Sequence, residues 1–267
     1  MNKRILVWLA ILAAVLVLAG CSKKEETTPE TGGGGGGTET VQPTPIDQAT
    51  VGEVSGKVAF QGAKPKLQRI MMDQDPVCVQ KHGGKPVFAE DGDVNANGTL
   101  PNTFVYVKSG AEKYVFATPT DAVTLDQDGC MYKPHVLGVM VGQTLKVVSS
   151  DATTHNIHPM PKDNREWNMS QAPGAAPIEQ KFAREEIMIP VKCNQHPWMR
   201  AYVGVVKNPF YAVTGSDGTF TLKGLPPGDY TLGAWTALGG GAGQTQEQKV
   251  TIGAKEKKTV DFTFKAS

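Results

Sequence analysis

Two short segments concentrate the side chains able to hold a soft metal ion, His155-Asn156-Ile157-His158 and Cys193-Asn194-Gln195-His196-Pro197-Trp198-Met199. Together they contain three of the five histidines in the chain. A Cys, a His three positions later and a Met three further on can all turn inward from one tight loop at a strand end, with the remaining imidazole supplied by a neighbouring strand. Two imidazoles and one thiolate in a trigonal arrangement, with a weak thioether, meet the requirement of a blue-copper electron-transfer centre. Thiolate sulfur favours Cu(I) and imidazole tolerates Cu(II), so one cage serves both oxidation states with little rearrangement. The expected ligands are His155, Cys193, His196 and Met199. Taken singly, a free Cys or a Met is an ordinary core residue, and Trp198 an ordinary packing residue. The joint spacing is what points to metal. His158, His82 and His135 are expected outside the ligand set.

These residues sit far along a 267-residue chain whose first twenty positions read as an export leader, with Lys3 and Arg4 ahead of an apolar run from Ile5 to Ala19. That run is short for a retained membrane span. Leu18-Ala19-Gly20-Cys21 resembles a bacterial lipobox, which implies a lipidated Cys21 and, with Ser22 rather than Asp following it, an outer-membrane anchor facing the periplasm. Residues 22–50 carry six consecutive glycines and almost no apolar side chains, a composition that makes a flexible tether. Basic and acidic residues nearly balance, 27 against 26, so nothing in the charge points to a nucleic-acid partner. With Cys21 and Cys193 assigned, Cys78 and Cys130 remain, and in an oxidising compartment a disulfide is their simplest state. Two separate thiols, or a second metal site of Cys78 with His82, stay open as alternatives.

From Val51 onward, short alternating or β-branched segments separated by Gly, Pro, Asn and Asp predict an all-β protein. Ten strands are expected: 54–60, 104–108, 136–140, 144–149, 187–192, 202–207, 219–223, 230–236, 249–252 and 259–264. That number suits two sandwiches or barrels better than one.

The Cys-x-x-His-Pro-x-Met loop and the His-Asn-x-His segment resemble the cupredoxins, amicyanin above all. Tyr132-Lys133-Pro134-His135-Val136 and Val141-Gly142-Gln143-Thr144-Leu145 are similar to plastocyanin-like strands. The likeness covers 119–208 and implies a Greek-key β-sandwich in which Asn156 ties the two ligand loops together beside the thiolate. Val191-Lys192 before the Cys and Arg200-Ala201 after the Met depart from the family pattern, leaving the ligand set intact. Thr219-Phe220 after Asp217-Gly218, followed by Leu225-Pro226-Pro227-Gly228-Asp229-Tyr230, resembles the carboxypeptidase regulatory-like domain, a small transthyretin-like β-sandwich. Its first strands resemble Gly52–Val58 and Leu100–Val107. The resemblance therefore implies a module split into 51–118 and 209–267 around the copper domain, with two tandem domains as the alternative.

The function expected is one-electron transfer between redox partner proteins at the cell envelope, through one copper ion and the His196–Trp198 edge, by a carrier and not an enzyme. Four protein ligands leave no open coordination position, and five histidines are too few for a trinuclear copper cluster. Copper storage or delivery is the second expectation, and a surface interaction module the third.

Overall fold

The computed structural model describes residues 42–240 and 242–266. The leader, Cys21 and the greater part of the tether lie outside the described residues. No helix among the described residues is long and apolar enough to cross a membrane. The end of the expected tether is tied down: Thr44 N–H donates to the Val115 carbonyl and Val115 N–H to Thr44 Oγ1, both at 2.8 Å.

The described chain is nearly all β. In order it forms β1 (Gly52–Gln61), β2 (Arg69–Ile70), the helix α1 (Pro76–Lys81), β3 (Val87–Phe88), β4 (Phe104–Ser109), β5 (Val123–Gln127), β6 (Tyr132–Lys133) and β7 (Val136–Met140). There follow β8 (Thr144–Ser149), β9 (His155–Pro159), β10 (Met169–Gln171), β11 (Ile178–Lys181), β12 (Glu186–Lys192) and β13 (Arg200–Val206). The last six are β14 (Tyr211–Val213), β15 (Thr219–Leu225), β16 (Gly228–Thr236), β17 (Gln244–Ile252), β18 (Lys257–Thr259) and β19 (Phe262–Lys265).

Period-two alternation decides how these strands stack. Sheet β15-β1-β18, extended by β19 on β1, faces sheet β14-β4-β16-β17 across a core that includes Val54, Val58, Val105, Val107, Phe220, Leu232 and Phe262. Sheet β11-β8-β5-β6 faces sheet β10-β9-β12-β13-β7 across a second core with Leu125, Val147, Ile157, Ile189, Val191 and Val203. The alternate residues of β4, β7 and β13 make a third cluster, with Phe104 and Tyr106 from one sandwich against Val136, Met140, Tyr202 and Val206 from the other. Both faces of β4, β7 and β13 are thus buried, which is why they read as unbroken apolar runs.

β1 pairs antiparallel with β15 and parallel with β18 and β19, so strands near residues 55 and 220–264 share one sheet. The segment between β1 and β4 behaves differently from the expectation that placed 51–118 together. Ile70, Met72 and Cys78 pack into the second core, because the disulfide from Cys78 to Cys130 draws this stretch across.

The strand expected over 259–264 is broken in two where Val260 N–H donates to the Ser55 carbonyl and Asp261 Oδ1 accepts from Lys57 N–H. Helix α1 went unforeseen, since its six residues are too few for a periodic signal.

Candidate metal centre

β9 and β12 are antiparallel neighbours, Lys192 facing His158 and Val191 facing Pro159, which brings their ends together. His155 is the first residue of β9, and Cys193 follows the last residue of β12. The chain then folds back tightly: Met199 N–H donates to the His196 carbonyl at 2.9 Å and Cys193 N–H to the Met199 carbonyl at 3.3 Å, before β13 resumes at Arg200. Met199 is fully buried in the second core beside this turn.

His155 and Cys193 are 0% and 1% exposed, and His196 4%. The donor atoms of these three lie within 4.8 Å of one another. His155 Nδ1 faces His196 Nδ1 at 2.9 Å, and Cys193 Sγ is 3.8 Å from His196 Nδ1. On the far side of each ring a carboxylate waits: Asp151 Oδ2 at 3.0 Å from His155 Nε2, and Asp75 Oδ2 at 3.0 Å from His196 Nε2. A carboxylate accepts, so while both rings are neutral each Nε2 carries the proton and each Nδ1 presents a lone pair to the other. Two lone pairs facing at this distance in a buried site repel unless a cation or proton lies between them.

The sulfur environment completes the donor set. Cys193 Sγ accepts from Asn156 N–H at 3.5 Å and His196 N–H at 3.4 Å. Burial pushes the thiol up, but hydrogen bonds with His155, with those two backbone groups and with the His196 ring bring it down to about 6, into the thiolate range at neutral pH. For His155, burial works against the charged form while Asp151 and Cys193 raise it to about 9. Burial likewise works against the Asp151 carboxylate, yet His155 and the N–H groups of Cys130 and Gly129 hold it well below the usual carboxylate range. Asn156 Oδ1 accepts from Asn194 N–H at 2.6 Å and lies 3.3 Å from Cys193 Sγ, joining the His155 and Cys193 segments. Its Nδ2 donates to Asn168 Oδ1 at 2.7 Å.

His158 points away and bonds Glu166 at 2.5 Å. His82 bonds the Gly129 carbonyl at 2.6 Å. Cys78 does not join His82 in a metal site, because its sulfur is bonded to Cys130. The two carboxylates were missed by sequence reasoning. Asp151 stands four residues before His155, and Asp75-Pro76 is a helix N-cap followed by Pro at N1; each is a weak local signal with no indication of its long-range partner.

The donors present, two imidazole nitrogens and a low-pKa thiolate with a buried thioether in the same turn, fit a soft or borderline transition metal such as copper.

A family model described as polysaccharide lyase family 4, domain II, matches residues 192–260, a stretch that runs from the Cys193 turn into the other sandwich. It differs from the regulatory-like module that the sequence resembles. No curated protein matches. Among solved structures, a purple cupredoxin from Nitrosopumilus maritimus is 25% identical over 32% of this chain and 99% of its own, with a TM-score of 0.27. An oxidized amicyanin variant is 24% identical over 32% of this chain and 81% of its own, with a TM-score of 0.28. A Cu-containing nitrite reductase from Thermus scotoductus SA-01 is 20% identical over 39% of this chain, with a TM-score of 0.31, and this chain spans 25% of it.

Proposed function

We propose that His155, Cys193, His196 and Met199 hold one copper ion, which would supply a one-electron couple between Cu(I) and Cu(II), and that the protein is an envelope-anchored electron carrier rather than an enzyme. The observation that carries this reading is the pair of facing Nδ1 atoms 2.9 Å apart, each opposite an Nε2 committed to a carboxylate.

The chain's own residues keep that arrangement rigid. Asp151 is fixed by Gly129 N–H at 2.8 Å and Cys130 N–H at 2.7 Å, and in turn fixes the tautomer and tilt of His155. Asn156 holds the His155 and Cys193 segments at constant separation. The single hydroxyl proton of Tyr132 is shared between the carbonyls of Asn156 and Lys192, at 2.5 and 3.0 Å, linking β9 to β12 next to His155 and Cys193. Burial of all four donors excludes water from the thiolate. A cage with so little freedom changes little when one electron enters or leaves, as fast transfer requires.

The leader and Cys21 support an envelope location, and the Cys78–Cys130 disulfide suits an oxidising compartment. We read the sandwich built on β1, β4 and β15–β19 as a scaffold of the regulatory-like type.

The test is an optical titration of the soluble form beginning after Cys21 with Cu(II). One equivalent should produce an intense visible thiolate-to-copper band, bleached reversibly by reductant and absent from Cys193→Ser. Copper binding without that band would assign the protein to storage or delivery, and no binding would leave an interaction module.

A further inference from the structure

The expected partner edge at His196 is not open to solvent. The segment from β2 to Asp91 lies over it, and four contacts outside the ligand turn pin that segment down. Cys78 is bonded to Cys130, and the sulfurs of both lie within 4.8 Å of a His196 ring nitrogen. His82 Nε2 bonds the Gly129 carbonyl, and His135 Nε2 bonds Asp91 Oδ1 at 2.9 Å. Ile70 and Met72 are buried in the same core as Cys193 and Met199.

At the centre of the segment stands Asp75. Its Oδ1 caps α1, accepting from the N–H groups of Val77 at 2.9 Å and Cys78 at 3.3 Å. Its Oδ2 accepts from Thr153 Oγ1 at 2.9 Å and from His196 Nε2 at 3.0 Å. The carboxylate is therefore held by the helix it starts and by β9's approach loop, with its remaining lone pair aimed at one imidazole.

We propose that residues 69–91 are a built-in cover over the His196 side of the centre, and that Asp75 is the positioning residue of His196, acting from the side opposite Cys193. An anionic acceptor on Nε2 strengthens Nδ1 as a donor and favours the more highly charged metal state. Solvent and partners meet Trp198 instead, whose ring lies 5.1 Å from that of His196 and whose Nε1 donates to the Cys130 carbonyl at 3.0 Å.

The electrochemical part of this inference rests on the copper reading. Its test compares the midpoint potential, read from the thiolate band, of the parent, Asp75→Asn and Asp73→Asn. Asn is as good an N-cap as Asp, so α1 keeps its start while the charge is lost. The expected result is a higher potential for Asp75→Asn with the band retained, and no shift for Asp73→Asn. An unshifted Asp75→Asn overturns the positioning role.

If the parent shows no such band, the copper reading fails, and the cover is decided on metal-free protein by carbethoxylation with peptide mapping. Modification of His196 at least about tenfold slower than that of His158 sustains the cover. Equal rates overturn it.

Discussion

The joint between the two sandwiches makes a quantitative prediction. Gly138 of β7 and Gly204 of β13 are directly paired, and together they leave a hollow in the outer face of the sandwich that carries the Cys193 turn. Phe104 of β4, fully buried, fills it, with Tyr106 stacked at 5.4 Å and Tyr211 at 5.6 Å between ring centroids. A methyl group at Gly204 would sit 2.6 Å from Phe104 Cζ and from Met188 Cε, closer than carbon atoms approach. Gly204→Ala should therefore cost about 1–3 kcal/mol through overpacking. Phe104→Ala, which empties the hollow, should cost about 3–5 kcal/mol. In the double variant the new methyl occupies part of the vacated space, so the combined cost should fall short of the sum by about 1–3 kcal/mol. Urea unfolding of the four proteins, followed by tryptophan fluorescence, reads the cycle. Costs that add within about 0.5 kcal/mol would refute the key-and-hollow account.

Asp151→Asn should weaken copper affinity by about 10- to 100-fold, measured by competition with a chelator of known affinity, because His155 loses the charged partner that fixes its tautomer. Replacing both Cys78 and Cys130 by Ala, which opens a crosslink 52 residues apart, should lower the unfolding free energy by about 4 kcal/mol in denaturant titrations. His135 supplies a pH test. Burial works against its charged form, but the hydrogen bond to Asp91, the nearby Glu90 carboxylate and the Arg200 carbonyl raise it above 6.5, while the edge of Tyr202 packs on its ring. The folded protein then binds a proton that the unfolded chain has already released, so this stability is complete below pH 6.5 and fades as pH rises through the higher folded value. The parent should lose stability over that range relative to His135→Gln in unfolding curves of the metal-free protein.

The turn from Cys193 to Met199 was legible because Cys193, His196 and Met199 fall within seven residues, and a local motif needs no tertiary information. The β class was legible for the same reason, since alternation in strands such as Thr219–Leu225 is local. Stacking of the sheets was harder to see. Val136–Met140 is buried throughout, so its sequence does not say that Leu137 and Val139 face one core while Val136 and Met140 face another. Strand β5 escaped notice because Asp126 and Gln127 spoil the apolar pattern, and β9 was foreseen only as the neighbouring strand that carries His155, without bounds, because His155 and Asn156 interrupt its apolar pattern. Asp75 was beyond reach: it lies 121 residues from His196, and only folding reveals that a helix cap also orients an imidazole. That His196 is buried, 4% exposed, likewise shows only once the segment bearing Asp75 is folded against it.

The most direct test of the copper centre is the anomalous scattering of crystals of the soluble form loaded with Cu(II), recorded on both sides of the copper absorption edge. One strong peak is expected, enclosed by His155 Nδ1, Cys193 Sγ and His196 Nδ1, on the side of the turn that holds Met199. A peak elsewhere, at His158 and Glu166 for example, or no ordered copper between the two imidazoles, would contradict it.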